Sequence, residues 1–422
     1  MNKKIENIFK GDKVIWMIFF FLCMISIVEV FSASSNLTYK SQNYIRPIMY
    51  HAGTVAFGAF IAVIVLNIPC RYFKLMTPFL LIITGILLLW VLVAGERTGD
   101  ASRWISLFGF TFQPSEIAKG TMILATAQIL SAMQKPDGSG ADKKAFKYIL
   151  WIVIPVALLI MVENLSTAAL LCFVIFLMMF IGRVPLIQLG KLAGFVIGLA
   201  IFGLVMIMAI GNSEEEELMT GQVKTEQVQV PKKKNKLEKI LHRADTWKSR
   251  IKKFSNKKEI APEDYDLDKD AQVAHANIAI VSSNIIGKGP GQSVERDFLS
   301  QAFSDFIYAI IIEELGFFGA TFVIFLYIVL LFRTARIASL CENNFPAFLA
   351  MGLALLLVVQ ATFNMLVAVG IAPVTGQPLP LISKGGTSTI INCAYLGIIL
   401  SVSRSAKKKK SKEDTESEEK ID

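Results

Sequence analysis

Apolar residues in this chain arrive in long uninterrupted runs, and run length is what most restricts the fold. A helix that crosses a bilayer needs roughly 20 mostly apolar residues. Windows of that kind fall at Val14–Ser32, His51–Asn67, Phe73–Ala94, Phe112–Met133, Ala145–Met161, Leu165–Ile181, Leu189–Ile210, Phe303–Phe332, Pro346–Ile371 and Thr387–Val402. That makes about ten spans, with the two around Glu163 the hardest to separate. Inside hydrocarbon only helices and closed barrels satisfy their own backbone, so runs of this length predict an all-α, polytopic integral membrane protein. A chain with 54% hydrophobic and 18% charged residues fits that class better than a soluble globule. The first span has a basic leader and no small-residue cleavage site, which reads as a retained anchor.

Lys and Arg in the short loops set the expected orientation. Lys3, Lys4, Lys10 and Lys13 precede the first span. Arg71 and Lys74, then Lys135, Lys143, Lys144 and Lys147, then Arg183 and Lys191, then Arg333 and Arg336 occupy alternate loops on that side. With an even number of spans, Lys407–Lys410 join them, and both termini are cytoplasmic. The segment 212–302, between the seventh and eighth spans, then forms a long extracytoplasmic loop. Its lysines do not oppose this, because long loops translocate largely regardless of charge. The net charge of +9 lies in loops and tails and suits anionic membrane lipids, not nucleic acid.

Residues 1–403 read as one transmembrane domain. Within the long loop, Glu214–Glu217 and Lys232–Lys234 look like a solvated insertion. Across 237–254, Leu237, Ile240, Leu241, Trp247, Ile251 and Phe254 recur at helical spacing. Such an amphipathic segment either lies on a surface or packs without any ligand role. Residues 404–422, charged and poor in apolar side chains, predict a disordered cytoplasmic tail.

Neither Cys23, Cys70, Cys172, Cys341 and Cys393 nor His51, His242 and His275 form a metal-ligand spacing. No built-in metal site is expected. Gly287, Gly289 and Gly291 give a GxGxG pattern followed by Ser293, but a dinucleotide fingerprint needs a βαβ unit around it. Here the glycines read as tight turns or as backbone approaching a headgroup.

Ionisable groups next to the apolar runs are the candidate chemistry, since each is costly in a bilayer. Asp305 stands at the mouth of the run ending at Phe332, and Glu313 and Glu314 lie inside it. Asp305 reads either as an acid at a helix terminus or as a cavity acid. On a continuous helix Glu313 lies about 80° around from Asp305 and roughly 12 Å deeper, with Glu314 facing away. Glu313 is therefore the expected companion. Arg97, Arg103 and Trp104 share a short outer loop, and Gln113-Pro114-Ser115-Glu116 opens the next helix. Glu116 and Lys119 lie three apart and read equally as substrate groups or as a structural ion pair. Near the end, IAPVTGQPLPLISKGGTST holds prolines 373, 378 and 380 and Gly385-Gly386, which forbid a regular helix. Irregular backbone at this depth is tolerated where it lines a wet cavity, and there Ser383, Lys384, Thr387 and Ser388 suit phosphate oxygens.

GKGPGQS followed by FLSQAFSDFI and EELG, QPSEIAK after ASRWI, and PVTGQPLPLISKGGTS resemble the signature segments of the SEDS family (shape, elongation, division and sporulation proteins, which include FtsW and RodA). VEVFSAS resembles the end of that family's first span, and the match runs in order along nearly the whole hydrophobic chain. The resemblance implies a ten-helix peptidoglycan glycosyltransferase acting on lipid II at the outer face of the bacterial cytoplasmic (inner) membrane. It implies work beside a class B penicillin-binding protein and other divisome proteins, and it places the family's catalytic aspartate on Asp305. Departures occur at Ser300, Gln301, Phe303 and Ser304, where the family carries Pro-Glu and His-Thr, at VENLST, and at Lys384, which replaces a Tyr. VEVFSAS and LPLIS lean toward the division-type branch, acting at the septum.

The expected mechanism makes Asp305 general base on the acceptor 4-hydroxyl. Arg103, Trp104, Glu116, Lys119, Ser293, Glu313, Ser383, Lys384 and Ser388 are the expected substrate-binding groups. No cofactor is built in, and a divalent cation (Mg or Mn) accompanies the pyrophosphate of the undecaprenyl-linked substrate. The competing functions are a lipid II flippase and a scaffold recruiting the transpeptidase; a proton-coupled small-solute transporter would show an internal repeat, which is absent.

Overall fold

The computed structural model describes residues 10–33, 46–98, 101–107, 110–210, 267–299 and 302–418. Helices carry almost all of it: α1 (Lys13–Ala33), α2 (Arg46–Asn67), α3 (Cys70–Ala94), α4 (Pro114–Ala132), α5 (Lys143–Glu163), α6 (Leu165–Ile181), α7 (Leu186–Ile210), α8 (Leu267–Val281), α9 (Ile307–Ser339), α10 (Asn344–Ala368) and α11 (Thr387–Glu418). Every apolar window of the sequence falls on one of these. Among the described residues, 7 helices are long and apolar enough to cross a membrane by length and composition. α4, α6 and α7 occupy the remaining windows. The chain is a multi-pass membrane protein, with large apolar side chains such as Phe79, Ile82, Trp151 and Phe325 turned outward.

Two features fall outside the all-α expectation. A small antiparallel sheet, β1 (Glu96–Thr98), β2 (Ala101–Leu107) and β3 (Phe110–Phe112), joins α3 to α4 in the order β1-β2-β3. Trp104 and Ile105 are strand formers, and pairing on both sides, with β1 and with β3, overrides the loop reading. At the other end, α11 continues to Glu418 through the segment expected to be disordered. Lys and Glu are the commonest charged residues there, and both are strong helix formers once a preceding span supplies the nucleus. The long segment between α7 and α9 also holds α8. The amphipathic reading of 237–254 lies outside the described residues.

Close helix approaches hold the bundle. A Cβ on Gly397 of α11 would lie 2.7 Å from the Ala62 carbonyl of α2, so this crossing needs a residue without a side chain. On the side of the basic loops, Asp12 caps α1 by accepting from Val14 N (2.9 Å) and Ile15 N (3.2 Å). Its other oxygen receives Arg333 of α9 at 2.9 Å (Nε) and 2.7 Å (Nη2), and its own N–H donates to Ser403 Oγ at 2.9 Å. First, ninth and last helices thus meet at one aspartate, two of them through its carboxylate and the last through its N–H.

α9 is two helices. Gly316 has φ 69° and ψ −172°, a region essentially reserved for glycine. Phe317–Ser339 alone, at 1.5 Å per residue, is about 34 Å long and suffices to span a bilayer. Ile307–Leu315 is therefore a separate short helix packed inside the protein, with Ile307, Ala309, Ile310 and Ile311 fully buried.

Candidate active site

The broken segment between α10 and α11 is where proline chemistry and bilayer depth conflict. Prolines 373, 378 and 380 supply no N–H, and a helix cannot form, so the carbonyls need other donors. Side chains from three helices supply them. Asn364 Nδ2 donates to Gln377 O (2.8 Å), and Gln360 Nε2 to Pro378 O (3.0 Å). Tyr327 Oη donates to Pro380 O, and Ser26 Oγ to Ile382 O (2.7 Å) while paired with His51 Nε2 (2.8 Å). Gln377 Nε2 reaches Thr167 Oγ1 (2.8 Å). Leu381 sits at φ 66°, a left-handed conformation unusual for leucine, which this ring of donors holds in place.

Asp305 lies on the turn 302–306 that leads into α9, and the broken segment grips that turn. Lys384 N donates to Phe303 O (2.9 Å), Ser383 Oγ to Ser304 O (2.6 Å), and Asn364 Nδ2 to Asp305 O (2.9 Å). Ser304 Oγ donates to Asp305 Oδ1 (3.1 Å). Lys384 Nζ stands 5.1 Å from the centre of the Phe303 ring, and partial burial holds its ammonium below the ordinary lysine range. Asp305, Phe303 and Lys384 are all half-buried, so a carboxylate and a cation sit partly open on two segments that are bonded to each other.

The second acid–base pair is closed. Lys119 Nζ is 2.8 Å from Glu116 Oε1 and 2.8 Å from Gln360 Oε1, and the two side chains are 0% and 3% exposed. Tyr395 Oη donates to Glu116 O (2.5 Å) and accepts from Gly120 N (3.1 Å), pinning α4 to α11. Of the two readings open at this pair, the geometry matches the structural one.

The glycine loop is also spent on the protein's own acids. Glu313 accepts from Lys288 Nζ (2.6 Å), Val294 N (3.0 Å) and Ser293 Oγ (2.5 Å). Glu314 accepts from Gly291 N (2.8 Å), Ser293 N (3.1 Å) and Ser32 Oγ, with Arg296 Nη1 at 3.7 Å. Lys288 N and Gly289 N donate to the Glu313 and Glu314 carbonyls (2.9 Å each), which closes the end of the short helix. Gly287 and Gly316 touch backbone to backbone, and a Cβ on either would strike the other's strand of chain. The expectation that Glu314 turns away from the polar side is corrected here. It assumed a continuous helix, whereas the break at Gly316 lets the loop wrap the helix end and reach both faces. Ser293 and Glu313, expected to bind substrate, are buried in each other.

Among the remaining expected contacts, Ser388 Oγ turns back to Gly385 O (3.0 Å) and Ser383 is committed to the Asp305 turn. Trp104 is half-buried on β2, opposite Glu96. The backbone of Arg103 lies on the same strand, while its side chain is outside the described residues. The structure therefore brings together Asp305, Ser383 and Lys384, separately Glu116 and Lys119, and separately Ser293 and Glu313. Asn364 and Gln360, which tie the first two groups together, were missed. A polar pair four apart in the apolar run of α10 was their visible signal. Among the described residues no three His, Cys, Asp or Glu side chains gather to hold a metal ion.

Comparison with known proteins gives the chain its family. The family model described as cell cycle protein, covering FtsW, RodA and SpoVE, matches residues 12–408. A probable peptidoglycan glycosyltransferase FtsW from Trichlorobacter lovleyi is 28% identical over 409 residues, 94% of each chain. The peptidoglycan glycosyltransferase MrdB of Escherichia coli (strain K12) is 30% identical over 356 residues, 83% of this chain and 84% of that one. Among solved structures, one described as the structural coordination of polymerization and crosslinking by a peptidoglycan synthase complex superposes with TM-score 0.65 at 22% identity, covering 94% of this chain and 98% of that one. On the family match across nearly all its length, this chain belongs to the FtsW, RodA and SpoVE family of cell cycle proteins.

Proposed function

We propose that the chain is a peptidoglycan glycosyltransferase that polymerises lipid II, with Asp305 as its general base. The observation that carries the reading is the contrast in exposure between its acids. Glu116, Glu313 and Glu314 are sealed in the interior, whereas Asp305 is half-buried on the turn bonded to the segment that carries the half-buried Lys384. Asp305 takes the proton of the acceptor sugar's 4-hydroxyl as that oxygen bonds to the donor's anomeric carbon, and the lipid pyrophosphate leaves with the bond's electron pair. One displacement inverts the centre, so an α-linked donor becomes a β-1,4 linkage. Lys384 meets the charge growing on the pyrophosphate. A divalent cation enters only with the substrate, and no step is assigned to it.

The protein's setting follows from the same reading. Lipid II is met at the outer face of the bacterial cytoplasmic membrane, both termini are cytoplasmic, and a class B penicillin-binding protein cross-links the product. Relatives named FtsW favour the division septum, with other divisome proteins as further partners. General-base assistance is worth roughly 10²–10⁴-fold, so Asp305→Asn should lose polymerisation by that factor while the folded yield is unchanged. Purified protein, with and without its transpeptidase, is given lipid II, and glycan strands are resolved on gels. Parent-level strands from Asp305→Asn would remove the base assignment. Lipid II crossing vesicle membranes without any strands would move the reading to a flippase, and activity only in the partner would leave a scaffold.

A further inference from the structure

One side chain is bonded to both halves of the site. Asn364 is 1% exposed in the apolar interior of α10, and its single amide nitrogen donates to Asp305 O (2.9 Å) and to Gln377 O (2.8 Å). One turn earlier on the same helix face, Gln360, also 1% exposed, receives Lys119 Nζ at 2.8 Å and donates to Pro378 O at 3.0 Å. Two consecutive carbonyls of the broken segment are therefore fixed from one face of one helix, and the Asp305 carbonyl is fixed from the same atom as the first. We propose that Asn364 is the positioning residue of the active site, setting the Asp305 turn and the Lys384-bearing segment in register, with Gln360 buttressing that register from the Lys119 pair. The inference rests on Asp305 being the base.

The physical case is one of tolerance. Turn 302–306 and the broken segment are irregular, so no ladder of backbone bonds fixes one against the other. Their register depends on Asn364, on Ser383 Oγ to Ser304 O and on Lys384 N to Phe303 O. Ser383 and Lys384 belong to the segment being positioned, so they can move with it. Asn364 belongs to a regular helix and does not. It is the fixed reference. Displacing a reacting group by about 1 Å can cost on the order of 10²-fold in rate without altering what the substrate touches.

The test separates positioning from folding. Lipid II polymerisation is measured on the purified full chain with its transpeptidase, together with the thermal unfolding midpoint in the same detergent. Asn364→Leu should lower kcat on the order of 10- to 100-fold with KM for lipid II within about twofold. Asn364→Gln, which keeps the amide donors on a longer stem, should recover part of kcat. If Asn364→Leu does not accumulate, Asn364→Ser takes its place and the same split is read. Parent kcat in the Leu or Ser variant overturns the inference. So does a loss of activity that only follows the lost folded fraction, with Asn364→Gln no better. Asp305→Asn is run alongside: if it retains the parent rate, the base reading has failed, whereas an inactive Asp305→Asn beside a fully active Asn364→Leu fails the positioning inference alone.

Discussion

The glycine loop and the Asp305 turn are two polar assemblies at the two ends of the short helix Ile307–Leu315, and they are built oppositely. At the glycine loop, side-chain and backbone donors converge on carboxylates, and both glutamates are 0% exposed. At the Asp305 turn the donors converge on backbone carbonyls instead, and the carboxylate and its neighbouring cation stay half-buried. Charge inside a membrane protein therefore does not mark chemistry by itself. What separates the two assemblies is exposure: one seals its carboxylates inside, the other leaves its carboxylate partly open.

That contrast can be broken in order of severity. Lys119→Met strands Glu116 in the bundle, and breaking a buried pair from one side typically costs about 3–5 kcal/mol. Thermal unfolding should show the largest loss here, and adding Glu116→Gln should return most of it. Failure of the double variant to recover would mean that the pair serves more than packing. Gly316→Ala places a side chain against the backbone of Ile285 and Gly287 in a conformation that costs about 1–3 kcal/mol for a residue other than glycine. It should lower the unfolding midpoint and loosen the glycine loop to proteolysis, and an unchanged digestion pattern would deny the loop its clamping role. Lys384→Gln, the mildest, should leave the midpoint unmoved and reduce polymerisation by roughly tenfold, about 1.4 kcal/mol of transition-state stabilisation. A greater loss of stability than of rate would give Lys384 a structural role instead.

Sequence reading located the spans because an apolar run of bilayer length has almost one meaning, and each window fell on a helix. Phe317–Ser339 was harder. Gly316 sits in the run as one small apolar residue among many, and only its left-handed backbone reveals that the helix ends there and begins again. The geometry inferred for Glu313 and Glu314 failed for that reason alone. Asp305 was legible because an acid at the mouth of a bilayer-length apolar run stands out, while the groups that grip its turn lie far along the chain. Lys119 to Gln360 and Ser32 to Glu314 were not, since spacing reports only on residues that share an element. Ser293, Ser383 and Ser388 were read as substrate groups, whereas a hydroxyl's partner is decided by tertiary contact and not by composition.

The grip on Asp305 has a consequence for how the protein comes into being. The amide that holds its carbonyl lies 59 residues further along the chain, and the hydroxyl on the neighbouring Ser304 carbonyl lies 79 further. Synthesis proceeds from the N-terminus at roughly 5–20 residues per second, so the aspartate enters the membrane several seconds before either of them. Until α10 and the segment after it have been inserted, the turn lacks both of these bonds. On the role proposed for Asp305, a chain short of them would not yet draw on the cell's precursor pool.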